Sequence, residues 1–237
     1  MNKRFAPGAP LTVAAAIGLF ILLGLGTWQA RKVGPKTELV HKIEAGLSAE
    51  PMPLPVHLDD PSTLDYRRVS FSGELIEVEP IRVFATSTEG KAGYHIYAPV
   101  KKQYGMAVLV NFGWVPAAMK DAPGLPYGAT LDVTGVLRVS AQPGSMTPEN
   151  KPEAGDWYTA DVYQMAEAFG LRTKEFYHFR VFADEGVLAT NLPKGGQVRV
   201  DIRNDHFQYA LTWYGIALTL IGVYVAFGFK RGREMRG

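Results

Sequence analysis

Two long apolar runs, one near each end of the chain, constrain this sequence more than anything between them. Leu11–Trp28 reads LTVAAAIGLFILLGLGTW. Its 18 residues make roughly 27 Å of helix, enough for a hydrocarbon core of about 30 Å. Phe207–Phe229 reads FQYALTWYGIALTLIGVYVAFGF and carries no charge. Its 23 residues make about 34 Å of helix, which spans a bilayer with some tilt. Lys3 and Arg4 precede the first run as they would in a signal peptide. The run ends in GLGTWQARK, however, which offers no small-x-small cleavage site, and Trp28 suits an interfacial anchor. Both runs are read as retained transmembrane helices, at 11–30 and 205–229.

Two spans put both chain ends on one side of the membrane. Basic residues near the helix ends are evenly divided: six lie in the termini, 1–10 and the basic tail 230–237, and six flank the middle segment. The positive-inside rule weighs short loops, and Arg31–Asp205 is long enough to be translocated whatever its charge. That segment holds 19 basic and 22 acidic residues, a net of −3, and has no reason to cling to an anionic leaflet. Both termini are therefore expected in the cytoplasm and the central domain outside. The ten residues before the first run are too few for a mitochondrial presequence. The expectation is a bacterial inner-membrane protein with a periplasmic domain. The formal charge of +2, with no basic stretch interleaved with aromatics, argues against a nucleic-acid partner. The absence of cysteine excludes disulfides, thiol redox chemistry and haem attachment through C-x-x-C-H.

Residues 31–65 read as a connector. Helical spacing follows Pro35, and then PMPLPVHLDDP extends and stiffens the chain. From 66 to 204 the pattern has period two. YRRVSFSGELIEV, IRVFATS, YHIYAPV, AVLVNFGWV, LDVTGVLRVS, FYHFRVFAD and QVRVDIR cluster β-formers between turn residues. DVYQMAEAFGL, 161–171, reads as a short helix with Asp161 as cap and Gly170 as stop. About seven short strands and one helix predict an α+β domain, mainly an antiparallel sheet or a partly closed barrel, flanked by the two membrane helices.

The domain shows no catalytic signature. Phosphate-loop glycine patterns are absent, and Ser72 and Ser145 stand outside any G-x-S-x-G elbow. The histidines, His41, His57, His95, His178 and His206, have no zinc-ligand spacing. His95 and His178 fall in strand patterns, where half-buried histidines with backbone partners are the ordinary case. The seven methionines are scattered, against copper carriage. Asp59–Asp60 sits in a proline-flanked loop and reads as solvated. The chain is not expected to be an enzyme.

Polar residues at the edge of a membrane span carry the highest functional expectation. Thr27, Trp28, Gln29, Arg31 and Lys32 stand at the outer end of the first helix, and Arg203, Asn204, Asp205, His206 and Gln208 at the outer end of the second. In the expected topology the two clusters lie at one depth. Asp205 and Gln208 have capping-box spacing, which puts His206 in the first turn. There the positive end of the helix dipole favours a neutral imidazole with a free lone pair. A neutral histidine facing a helix groove is the usual protein ligand for haem iron. Tyr209, Ala210 and Trp213 follow on the same face, and the bases Arg31, Lys32 and Arg203 could pair with haem propionates. The same residues also serve as plain interfacial anchors. Gly18, Gly24 and Gly26 read as packing residues.

Taken together, GTWQARK (26–32), YRRVSFSGEL (66–75), GYHIYAPV (93–100), VLVNFGWVP (108–116), DWYTAD (156–161) and NDHFQYALTWYGIA (204–217) cover most of the chain and all four tryptophans. In these motifs the sequence resembles the surfeit locus protein one (Shy-one) family of cytochrome c oxidase assembly factors. The resemblance implies a chaperone that binds haem a as cargo and aids its insertion into the catalytic subunit of the haem-copper oxidase. Haem a synthase is a further partner it implies. In bacterial members haem a binding is attributed to the membrane-edge histidine, which maps onto His206 as an axial ligand to the haem iron. Trp28, Gln29, Tyr209 and Trp213 would then shape the groove, with Arg31 a propionate partner. The alternative is a haem-independent scaffold acting through the outer domain. A haem-synthesising enzyme is disfavoured, since two helices offer few ligands and no acid–base pair. One departure stands out. The family usually has Asn-Arg-Gly-Trp where this chain has Asn111-Phe112-Gly113-Trp114, so a role for that arginine would pass to another base such as Arg67 or Arg68.

Overall fold

The computed structural model describes residues 5–103, 105–119, 124–198 and 205–234, and the chain divides into two compact units, residues 1–42 with 201–237, and residues 43–200. Residues 199–203 of the QVRVDIR strand reading, Arg203 among them, and Asn204 lie outside the described residues, and Gln197 and Val198 are in no strand.

The first unit is a pair of helices, the membrane-side part of α1 (Ala9–Ser48) and α3 (His206–Glu234). Helix α1 does not stop at the end of the apolar run. It continues through Gly34–Pro35, so the first half of the expected connector is helix. Contacts pair Phe5 with Phe229, Thr12 with Tyr224, Gly18 with Leu220 and Gly26 with Tyr214, an order that makes the helices antiparallel. Both are long and apolar enough to cross a membrane, and only 6% and 11% of their most apolar stretches is buried by protein. Side chains so exposed do not form a water-soluble core; they fit a lipid surround.

The second unit is a barrel. Its strands are β1 (Met52–Pro53), β2 (Arg68–Leu75), β3 (Ile81–Thr86), β4 (Ala92–Lys102), β5 (Ala107–Pro116), β6 (Thr130–Val139) and β7 (Phe176–Ala183). They lie in the order β1-β2-β6-β7-β5-β4-β3, and β2 also pairs with β4. That last pairing closes β2, β6, β7, β5 and β4 into a five-stranded ring, leaving β1 and β3 as appendages. All ring pairings are antiparallel except β5 with β7. Five-stranded Greek-key barrels of this kind include the OB-folds.

The barrel has two cores, because one wall is buried on both faces. Val69, Phe71, Ile96, Val110, Phe112 and Val181 fill the interior. On the outer face, Val83, Tyr97 and Leu109 pack under Trp157 and α2 (Val162–Ala168). Helix α2 buries Val162, Met165 and Ala166, the i, i+3, i+4 face of an amphipathic helix, and Asp161 caps it by accepting from the backbone N–H of Tyr163 and Gln164. Double burial explains why AVLVNFGWV is apolar without alternation.

A β-bulge at Phe112 shifts the β4–β5 register, and Gly113 follows it at φ 129°. A Cβ there would lie 2.2 Å from the Lys194 carbonyl, so glycine is what lets the 194 segment bridge to Trp114. Beside the bulge lies a polar cluster. Asn111 donates from Nδ2 to the Tyr97 hydroxyl (3.3 Å) and accepts at Oδ1 from Gly113 N (2.9 Å), while buried Arg180 donates to the Ala160 carbonyl (2.8 Å). His95 joins this cluster from β4, half-buried as its strand pattern implied. His178 differs: it is exposed, and its Nε2 meets the Thr173 carbonyl at 3.1 Å.

Burial pushes His95 down to about 4; the Arg180 charge adds to this, while Gly113 and Asn111 oppose it. The unfolded ring titrates near 6.5, so between these values the unfolded chain binds more protons than the folded one. Stability contributed by neutral His95 is complete above pH 6.5 and is lost as pH falls through this window. Urea unfolding followed by tryptophan fluorescence is expected to show His95→Gln losing roughly 2–3 kcal/mol less than the parent between pH 7 and pH 4.

Candidate functional site

The outer end of the helix pair gathers the polar residues singled out in the sequence. His206 is the first residue of α3, where the capping reading put it. Its Nδ1–H donates to Gln29 Oε1 on α1 at 2.7 Å. With Nδ1 donating to Gln29, Nε2 is the remaining ring nitrogen, and it has no partner among the described residues. This is the arrangement in which a metal-ligating histidine is oriented through its other nitrogen.

The surrounding residues take different positions. Trp28 and Tyr209 are each 54% exposed, Trp213 is half-buried, and Arg31 and Lys32 are exposed. Ala210 and Ala217 are buried, and with His206 they trace the face that α3 turns to α1. Of the residues named for the site, then, the structure joins His206 to Gln29 and leaves the rings of Trp28 and Tyr209 open at its edge.

Tyr214 escaped the sequence reading. Its ring covers Gly26, where a Cβ would lie 2.8 Å from a ring carbon, and its hydroxyl meets Thr27 Oγ1 at 3.2 Å. The signal was in the sequence: a glycine one turn from Gln29 opposite a tyrosine two turns from His206. Gly18 packs against Leu220, whereas Gly24 faces open space. Among the described residues no group of three His, Cys, Asp or Glu side chains could hold a metal ion.

Of the bases considered as substitutes at the Phe112 position, Arg68 is engaged with Asp184 at 2.5 Å. Arg67 has a buried Nη1 without a partner among the described residues. Phe112 itself is 2% exposed in the barrel core.

Two membrane-length helices enclosing the sequence of a closed β-barrel, with a histidine–glutamine tie at the membrane edge, define a membrane-anchored barrel protein. The SURF1 family model matches residues 16–218. Surfeit locus protein 1 of Mus musculus is 33% identical over 213 residues, covering 81% of this chain and 67% of the mouse protein. The SURF1-like protein of Monosiga brevicollis is 31% identical over 232 residues, covering 90% and 86%. That of Rickettsia felis is 29% identical, covering 87% and 92%. The chain belongs to the SURF1 family.

Because the protein lacks cysteine, the helix contact can be read by cross-linking. A Gly18→Cys/Leu220→Cys pair is expected to join through a short bis-maleimide in membranes. Adding Gly26→Leu, which overlaps the Tyr214 ring, is expected to cut the cross-linked fraction at least several-fold.

Proposed function

We propose that this protein is a non-enzymatic inner-membrane assembly factor for a haem-copper oxidase, holding haem a as cargo on its way to the catalytic subunit. The bond from His206 Nδ1 to Gln29 Oε1 carries the reading, because it fixes the imidazole across two helices and leaves Nε2 as the nitrogen that would hold the haem iron. Bound there, haem a would supply its iron to Nε2. The chain's own residues do the rest. Gln29 holds the ring in place, the exposed faces of Trp28 and Tyr209 offer apolar surface to a porphyrin, half-buried Trp213 adds a further ring two turns along α3, and Arg31 can pair with a propionate. Family membership supports the oxidase as client and its catalytic subunit as partner, with haem a synthase as the donor to consider. In this reading the termini are cytoplasmic and the barrel is periplasmic.

A second reading, a haem-independent scaffold that stabilises an oxidase intermediate, draws on the size of the barrel relative to the helix cluster. Reduced-minus-oxidised spectra separate the two. Purified in detergent from cells that make haem a, the parent protein is expected to carry the haem a band and His206→Ala to lack it. Gln29→Leu, which keeps the ligand but frees its ring, is expected to lower occupancy about tenfold. A haem-free parent would favour the scaffold, and a haem-loaded His206→Ala would remove His206 as ligand.

A further inference from the structure

A small cavity of about 220 Å³ opens on the barrel far in sequence from His206, lined by Phe84, Tyr94, Gly155, Asp156, Trp157 and Tyr158. Phe84 and Tyr94 are cross-strand neighbours on β3 and β4, with ring centroids 6.0 Å apart and planes at 78°. They form a two-walled corner. Phe84 is 47% exposed and Tyr158 37%, unusual for rings already gathered at one place, while Trp157 beneath them is buried. Asp156 stands in the same wall and forms no ion pair among the described residues.

The loop carrying Asp156 and Tyr158 is built to hold this shape. Trp157 runs parallel to Val83 as an extra bridge, and its carbonyl accepts from Phe84 N at 2.8 Å. Lys151 and Asp156 exchange backbone hydrogen bonds of 2.8 and 3.1 Å. Asn150 Oδ1 accepts from the backbone N–H of Tyr158 (2.8 Å) and Thr159 (2.9 Å). Rings clamped this way need little ordering when a ligand arrives.

We infer that this cavity binds an organic quaternary ammonium group of the choline class. Aromatic faces set around a corner attract a cation through their quadrupoles, and quaternary ammonium is the group such cages recognise. The single carboxylate supplies the matching charge, within a segment whose net charge is −3. Hydrogen bonding sets the class. A guanidinium or primary ammonium brings five or three N–H donors that must be satisfied when desolvated, and one carboxylate cannot take them all. A trimethylammonium has none. The source is either a soluble choline derivative or a phosphocholine lipid headgroup, which share this chemistry.

Titrating choline chloride into the full-length protein in a maltoside detergent, read by tryptophan fluorescence and calorimetry, tests the assignment. Saturable binding is expected. Phe84→Leu and Tyr158→Leu, which keep apolar bulk at exposed positions, should each weaken it about two- to fivefold. Asp156→Asn should weaken it at least as much. The neutral tert-butyl analogue, with carbon in place of the ammonium nitrogen, should bind at least several-fold more weakly than choline. Absence of saturable binding to the parent, equal affinity for the neutral analogue, tighter binding of an alkylguanidinium, or leucine variants indistinguishable from the parent would each overturn the assignment. Repeating the titration in phosphatidylglycerol and phosphatidylcholine nanodiscs separates the sources. Competition confined to phosphatidylcholine assigns the lipid headgroup, and equal choline binding in both assigns a soluble ligand; either upholds the site.

Discussion

The barrel depends on one strand being bonded along both edges. Gly73 and Glu74 of β2 pair with Leu131 and Thr130 of β6 on one side and with Lys102 and Lys101 of β4 on the other. Where the ring closes, a Cβ on Gly73 would lie 2.7 Å from the Lys101 carbonyl and 2.8 Å from a Val100 methyl. Two strands can come this close only across a residue without a side chain. Closure gives each of the five ring strands a neighbour on both sides, leaving none of them as an edge that would invite pairing with another chain. It also turns the alternate residues Val69, Phe71 and Leu75 into a shared interior with β4, β5 and β7.

Once the ring is closed, its outer wall becomes a second place to build. Leu109 and Tyr97 face away from the barrel interior yet are buried, because α2 and the Trp157 segment cover them. The cover ties to the sheet by a backbone hydrogen bond rather than by packing alone, from Phe84 N to the Trp157 carbonyl. Rigid loops fixed to a closed barrel are where a small binding site can be held to shape. The Phe84–Tyr158 cavity lies on such a loop.

Much of the fold was legible in the sequence. Six of the strands and α2 fall where period-two runs and the Asp161 cap put them, because pleat and helix geometry impose their periods directly on side-chain chemistry. The order of the strands was not legible. The parallel β5–β7 pairing and the β2–β4 closure are long-range choices that no local pattern records. Helix α1 runs past the membrane span: the residues after Pro35 carry the helical spacing read in the connector, and one continuous helix reaches Ser48. At the membrane edge, chemistry singled out His206 and Gln29 separately, and the bond between them needed coordinates. Tyr214 went unnoticed because a tyrosine in an apolar run reads as an anchor until the glycine opposite it is seen.

The polar atoms of the helix pair explain why His206 is singular. Thr12 meets the Tyr224 hydroxyl, Thr27 meets Tyr214, and Gln29 meets His206, each partner coming from the other helix. Thr212 and Thr219 turn back on their own helix, onto the carbonyls of Gln208 and Gly215. Interhelical hydrogen bonds in membranes average about 0.6 kcal/mol, so three of them do little to hold the pair together. They fix its register instead, since sliding one helix by a turn would break all three at once. In the first pair Thr12 Oγ1 donates to the Gly8 carbonyl of its own helix, so the Tyr224 hydroxyl is the donor across the pair. The His206 ring has two nitrogens that point apart, and Gln29 reaches only one. The bond that helps fix the register therefore also leaves Nε2 without a partner among the described residues, on a ring held across both helices.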